Sequence, residues 1–173
     1  MDRIKTGLTK MLPVQRELDN HILDKFPELK DEDLFDKRVL SLQIELGELA
    51  NELPEVFKYW SHKKNNYANA LEEYVDCLHF ILSLGNKIKF TNVVMSPSKT
   101  NDMVASFIGL QGIIVAVKHA YHLGHTPDTH EQYQQLLDEF IRLGELIGFS
   151  WDNIEHAYFD KNKENYRRQA NGY

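Results

Sequence analysis

The sequence has little cysteine, proline or glycine and no excess of positive charge. Its 173 residues include one cysteine, Cys77, which excludes an intramolecular disulfide and favours a reducing compartment. Only five prolines and nine glycines interrupt the chain, as expected of a protein built from long helices. A formal net charge of −6 argues against broad, sequence-independent binding to nucleic acid, because such binding needs a basic surface.

Long apolar runs are also missing from the sequence. No uninterrupted stretch approaches the length that a membrane-spanning helix needs, and residues 1–5 lack the apolar segment of a signal peptide. We therefore expect a cytoplasmic protein that contacts neither a membrane nor nucleic acid. We also expect a single domain over residues 1–173, because a chain of this length can bury a sizeable core.

The hydrophobic periodicity predicts helices almost throughout and no convincing strand. The fold class is therefore predicted as all-α, a bundle of five or six helices. Pro54 is expected to bend the second helix, and Ser150 to cap the last one. The predicted helices span residues about 7–24, 34–63, 69–89, 102–123, 130–147 and 151–169, and residues 91–101 form the longest predicted loop.

Two acidic pairs are the most informative feature of the chain. Glu45 and Glu48 stand three residues apart, and Glu73 and Asp76 repeat that spacing. On a helix, the two carboxylates of each pair project from one face. Two such helices brought together would offer four hard oxygen ligands, which suit Mg²⁺ or Mn²⁺. The alternative is that these acids lie on solvated helix faces.

The phases of the two helices favour the metal site. Glu45 and Glu48 border a stripe of leucines instead of lying opposite it, and the helix with Glu73 and Asp76 is apolar on both sides. Such a helix is usually central in its bundle. Unpaired carboxylates are costly to bury there, and a metal ion would remove the cost. Zinc would want clustered histidine or cysteine, so His79 is expected to be structural.

The C-terminal region offers a candidate phosphate clamp. Lys161, Asn165 and Arg168 are spaced 0, +4 and +7, so a helix would place them on one face. A cation, an amide and a guanidinium together suit phosphate oxygens. The alternative is a solvated basic turn, favoured by the helix dipole.

Two further groups could recognise a base or a sugar. Residues 57–60 form an aromatic cluster that either lines such a pocket or fills the core. Gln15 and Asp19 stand one helical turn apart, where they would read the edge of a base or simply lie on the surface.

Together these segments resemble the dimeric all-α dUTP pyrophosphatases (dUTPases), which belong to the all-α NTP pyrophosphatase superfamily that includes MazG-like enzymes. The resemblance extends from Gln15 to Tyr173, and residues about 91–130 are a variable part of that family's fold. The segments that match in order are residues 42–52, 57–60, 73–80 and 161–169, followed by Gly172 and Tyr173.

The resemblance implies hydrolysis of dUTP, and of dUDP, to dUMP, which limits uracil incorporation into DNA. It implies a central four-helix metal-binding core, in which Glu45, Glu48, Glu73 and Asp76 hold two or more Mg²⁺ ions, with Mn²⁺ as a substitute. A metal-bound water, oriented by Glu48 as the catalytic carboxylate, would attack the phosphate chain.

Other roles implied by the resemblance concern the rest of the nucleotide. The phosphates would bind to Lys161, Asn165, Arg168 and Lys58. The base and sugar would contact Gln15, Asp19, Trp60 and Phe80. Family members are homodimers, and a partner subunit could complete the site.

One position departs from the family pattern. Residue 19 is aspartate where asparagine is expected, and a carboxylate cannot donate to a uracil carbonyl as an amide can. Either the neighbouring Asn20 takes that role, or the alignment with the family is shifted at this helix. Two other functions also stay open: a pyrophosphatase of the same superfamily acting on dCTP or a damaged nucleotide, and a non-catalytic helical interaction protein.

Overall fold

The computed structural model describes residues 2–96 and 98–172, and within these ranges it contains helices and no strand. The all-α prediction is therefore confirmed. The elements are α1 (Asp2–Lys25), a 3₁₀ turn (Pro27–Leu29), α2 (Phe35–Asn51), α3 (Pro54–Phe57), α4 (Tyr67–Lys87), α5 (Met103–His122), α6 (Thr126–Ile147) and α7 (Trp151–Ala170).

The prediction of one long second helix to residue 63 is wrong. Helix α2 ends at Asn51, and Pro54 begins the separate one-turn helix α3. Proline has no N–H to donate inside a helix but fits the first turn of a new one, where that donor is unused. Residues 58–66 are not helical. A similar error affects α6, which begins at Thr126 with Pro127 in its first turn and not near His130.

The turn between α6 and α7 follows the sequence expectation. Gly148 adopts a φ of +100° and ends α6 in the left-handed conformation that glycine tolerates best. The hydroxyl of Ser150 accepts a hydrogen bond from the backbone N–H of Asn153 at 3.2 Å, so the predicted cap of α7 is confirmed.

Helix α4 lies at the centre of the bundle, as its apolar pattern predicted. It contacts α1, α2, α6 and α7, and it buries residues on both of its sides. Helices α1, α2 and α7 surround one half of α4, whereas α5 and α6 pack against each other and against α2 and α4. The acidic pairs of α2 and α4 therefore lie on two helices in direct contact.

Helix α5 is the element that bears on the expectation about apolar runs. Over residues 2–96 and 98–172 the structure has one helix that is long and apolar enough to cross a membrane, Met103–His122, with a mean hydropathy of 1.5. Gln111 and Lys118 interrupt its apolar residues, so the run is not continuous in the sequence. In the fold this helix packs against α6 and α2, and 28% of the apolar window is buried.

Gly144 allows α6 to approach α4 closely, which gives a stability prediction. A Cβ at this position would lie 2.6 Å from the hydroxyl oxygen of Tyr74. The buried Tyr74 ring stacks on Phe140 at 4.2 Å, and its hydroxyl donates to the carbonyl of Phe140 at 3.0 Å. Because this ring cannot move away freely, Gly144→Ala should lower the free energy of unfolding by about 1–3 kcal/mol in urea denaturation.

Gly109→Ala is the matched control, because Gly109 is exposed on α5 with nothing within 4 Å of an added Cβ. This change should be neutral or stabilising by up to about 1 kcal/mol, since alanine favours helix. Equal effects of the two substitutions would contradict the packing argument.

Candidate active site

A cavity of about 430 Å³ lies between α1, α2, α4 and α7. Its lining combines acids, cations, neutral polar groups and an apolar surface. The charged and polar residues are Gln15, Asp19, Lys37, Arg38, Ser41, Glu45, Asp76, His79, Ser83, Lys161, Asn165, Arg168 and Gln169, and the apolar ones are Leu18, Ile22, Leu23, Leu29, Leu34 and Phe80.

Three of the four predicted metal ligands come together, and two of them, Glu45 and Asp76, line this cavity. Glu45, Glu73 and Asp76 each place a carboxylate oxygen within 4.8 Å of the others. Glu73 and Asp76 share a face of α4, and the packing of α2 on α4 brings Glu45 to them. The fourth acid, Glu48, is exposed beside this cluster, close enough that its charge raises the pKa of both Glu45 and Glu73.

The three carboxylates lack sufficient positive charge around them. Burial, followed by repulsion from Asp76, Glu48 and Glu73, raises the pKa of Glu45 to about 7. Burial is also the main cause of the raised pKa values of Glu73 and Asp76. An all-oxygen donor set with this unmet negative charge fits a hard divalent cation.

The predicted phosphate clamp faces the acids. Lys161, Asn165 and Arg168 line the same cavity from α7, and the Lys161 ammonium lies 2.5 Å from Asp76 Oδ2. Arg168 Nε donates to Glu164 Oε1 at 3.2 Å. Cations and carboxylates therefore share one cavity, as a site for a metal–phosphate complex requires.

Lys58, the fourth predicted phosphate ligand, lies elsewhere. It follows α3, and its ammonium donates to Asn51 Oδ1 at 2.9 Å and lies 5.1 Å from the centre of the Phe57 ring. Lys58 is not among the residues that line the cavity.

A buried hydrogen-bond network surrounds Gln15. The Gln15 carbonyl Oε1 accepts from His79 Nδ1 at 2.6 Å and from the Tyr158 hydroxyl at 3.1 Å, and Gln15 Nε2 donates to Asp19 at 2.9 Å. The other Asp19 oxygen accepts from the hydroxyl of Ser83 at 2.7 Å. Burial raises the pKa of Asp19, although these two donors oppose the shift. The network fixes which end of the Gln15 amide is the donor.

His79 is more than the structural residue that the sequence suggested. It is buried and stacks on Tyr158 at 4.4 Å, but it also lines the cavity. Burial, together with the charge of Lys161, lowers the pKa of His79 to about 3. The neutral ring must donate through Nδ1 to Gln15, so its Nε2 is an acceptor.

The aromatic cluster at residues 57–60 does not fill the core, which corrects one of the two alternatives for it. Trp60 is 67% exposed and contacts Tyr59 edge-to-face, with ring centroids 4.8 Å apart. Neither residue lines the cavity, whereas Phe80, the predicted sugar contact, does.

Comparison with known proteins agrees with this geometry. A family model described as dUTPase matches residues 7–173. The chain belongs to the dUTPase family. It is therefore a dUTP diphosphatase, a nucleoside triphosphate pyrophosphohydrolase that acts on dUTP. No curated protein matches the chain.

Several cavity residues of this dUTPase were not singled out from the sequence. Arg38 and Ser41 precede Glu45 by seven and four positions, which places them on the same face of α2. Ser83 follows His79 by four positions on α4. Counting helical turns from Glu45 and Asp76 would have identified these three residues from the sequence. Leu29, which the 3₁₀ turn contributes to the cavity, stands outside those helices and cannot be found in this way.

The raised pKa of Glu45 predicts a contribution to the stability of the metal-free dUTPase that is lost as pH rises. The folded protein holds this proton up to about pH 7, whereas the ordinary value is 4.5. Binding of the Glu45 proton therefore stabilises the fold inside this window, and this contribution to the free energy of unfolding falls as pH increases through it. His79, which stays neutral in the fold, contributes a slope of the opposite sign below about pH 6.5. Because solvent screens this half-exposed carboxyl group, its contribution to the free energy of unfolding is about 1–2 kcal/mol.

Glu45→Gln should remove this part of the slope. Urea denaturation in EDTA between pH 5 and 8 would measure it, with the exposed Glu28→Gln as the matched control. An unchanged slope in Glu45→Gln would show that Glu45 titrates normally.

Proposed function

We propose that this dUTPase hydrolyses dUTP, and also dUDP, to dUMP with Mg²⁺ as cofactor, using two or more ions that Mn²⁺ can replace. The observation that supports this most is the cluster of three carboxylates, two of which line one cavity together with Lys161, Asn165 and Arg168. A phosphate chain bridged to the acids by divalent cations would satisfy both sets of charges.

Glu45, Glu73 and Asp76, with the neighbouring Glu48, are the residues that would hold the ions. Their negative charge is only partly compensated, as the raised pKa of Glu45 indicates. When bound, the ions would neutralise the phosphate oxygens and make a water molecule more acidic. The protein residues supply the remaining parts of the chemistry.

Glu48 is the proposed catalytic carboxylate. It is exposed beside the cluster and not buried within it, so it can accept a proton from an attacking water and return it to solvent. Lys161, Asn165 and Arg168 would bind the phosphate oxygens and stabilise the charge that develops on the leaving group.

Gln15 is the proposed uracil reader, and the network explains why Asp19 is compatible with that role. Both lone pairs of the Gln15 carbonyl are used by His79 and Tyr158, whereas the amide nitrogen keeps one N–H beyond the bond to Asp19. That N–H can donate to the O4 carbonyl of uracil. Cytosine has a donor amino group where uracil has O4, so the fixed amide favours uracil. Asp19 then orients Gln15 and need not donate to the base itself.

Phe80, partly buried in the cavity wall, would pack against the deoxyribose. Lys58 and Trp60 are proposed phosphate and base contacts that do not line the cavity. Their roles require either that residues 58–66 close over the nucleotide or that a partner subunit supplies them.

The function is tested by pyrophosphate release from dUTP, dTTP, dCTP, UTP and dATP, in Mg²⁺ and in EDTA. We expect a strong preference for dUTP that disappears in EDTA. Glu73→Ala should lower kcat/KM for dUTP by roughly 10²-fold or more, because it removes one of the converging carboxylates.

Glu72→Ala is the control, since Glu72 is an exposed neighbour of Glu73 that lies outside the acidic cluster. Full activity of Glu73→Ala at ordinary Mg²⁺ would refute its role as a ligand. Preference for dCTP would refute the proposed reading of uracil by Gln15.

We also propose that the enzyme is a cytoplasmic homodimer. Apolar side chains on α5 and α2 are exposed in the single chain: Val104, Ile108, Val115, Leu40 and Ile44. The start of α2 meets the end of α5, where Phe35 stacks on Tyr121 at 3.7 Å, so the two helices are neighbours. A second subunit would cover this apolar face and remove its contact with water.

Ile108 is 68% exposed and tests this interface. Ile108→Glu should convert the dimer to monomer in size-exclusion chromatography with light scattering, because a buried unpaired charge opposes association. Val94→Glu, an exposed apolar position in the α4–α5 loop, should leave the mass unchanged. A wild-type protein that is monomeric at micromolar concentration would exclude the dimer.

A further inference from the structure

Lys161 occupies an unusual place for a phosphate ligand. Its ammonium lies 2.5 Å from Asp76 Oδ2, and the two side chains are only 19% and 20% exposed. The charge of Lys161 also acts on Glu45 and Glu73, whose pKa values it lowers against the larger effect of burial. The positive charge of one ammonium therefore stabilises the ionised form of all three converging carboxylates.

A divalent ion at the cluster and the Lys161 ammonium would compete for Asp76. An ion bound by the cluster would place two positive charges within a few ångströms of the ammonium, in a partly buried site where screening is weak. An ion that bound Asp76 through Oδ2 would also compete with the ammonium for that oxygen. Both effects drive Lys161 away from Asp76 when the site is loaded.

Two open spaces border Lys161. Lys161 lines the substrate cavity together with Asn165 and Arg168, and it also borders a second groove between α4 and α7. Its flexible side chain therefore has open space beside it. When the carboxylates of the cluster bind metal, they are no longer available to the ammonium. The oxygens of a bound phosphate chain are then the acceptors that remain for Lys161.

We propose that Lys161 is an internal counter-ion that exchanges partners: it neutralises Asp76 in the metal-free enzyme and moves to the phosphate chain once metal is bound. This inference rests on the metal site proposed above. It makes metal binding and phosphate binding cooperative, because the metal releases the cation that the phosphate needs.

The first consequence concerns metal affinity without nucleotide. Lys161→Met removes the competitor for Asp76, so it should bind Mn²⁺ at least roughly five-fold more tightly than the wild type in isothermal titration calorimetry. Arg168→Met removes an equal charge from the same cavity wall and should have a smaller effect. Lys161→Gln, which keeps a hydrogen-bond donor near Asp76, serves as a second variant if the methionine protein folds poorly.

The second consequence is conditional on metal. With the non-hydrolysable analogue α,β-imido-dUTP as the probe, Lys161→Met should weaken binding by roughly ten-fold or more in Mn²⁺ but by less than about three-fold in EDTA. Lys161 is held by Asp76 in EDTA and cannot contribute there. Arg168→Met should weaken binding under both conditions.

The outcomes separate this inference from the proposed function. Unchanged or weaker Mn²⁺ binding by both Lys161 variants, in a wild-type protein that binds Mn²⁺, overturns the exchange and leaves the metal site intact. Equal losses of analogue affinity with and without Mn²⁺ overturn it as well. Failure of the wild type to bind Mn²⁺ at all overturns the metal site and the exchange together.

Discussion

The repulsion among partly buried carboxylates at the contact of α2 and α4 is the constraint on which the rest of the structure depends. Leu42, Leu46 and Leu49 on α2 are buried together with Val75 and Leu78 on α4, and this apolar contact fixes the spacing of the two helices. The positions of the acids on the same two helices are set by this apolar contact. Hydrophobic burial therefore holds negative charges closer than they would remain on their own, and the surroundings have to supply cations.

Helix α7 supplies the cations. It packs against both α1 and α4, so its Lys161 reaches Asp76 while Tyr158, one turn earlier, reaches Gln15 on α1. A single helix thus connects the acidic cluster to the polar network around Gln15. The proposed chemistry and the proposed base recognition both depend on the packing of α7 against α1 and α4.

The parts of the molecule outside this framework are the ones that the single chain leaves exposed. Trp60 lies in a segment without helix, and Ile108 lies on the outer face of α5. Removing an exposed aromatic ring or an apolar helix face from water lowers the free energy. A closing segment and a second subunit would cover them, and neither is specified by the contacts within one chain.

The sequence by itself determined the helical class, the spacing of Glu73 and Asp76 on one face of α4, and the common face of Lys161, Asn165 and Arg168, because these follow from a period of 3.6 residues. The cap at Ser150 also follows from local chemistry. The break at Pro54 does not follow from local chemistry, since proline is compatible with either a bend or a new first turn. Tertiary structure alone decided that Glu45 meets Glu73 and Asp76, that His79 and Tyr158 orient Gln15, and that Trp60 stays outside the cavity. These contacts join residues far apart in the chain, and the packing of whole helices, which no local pattern encodes, brings them together.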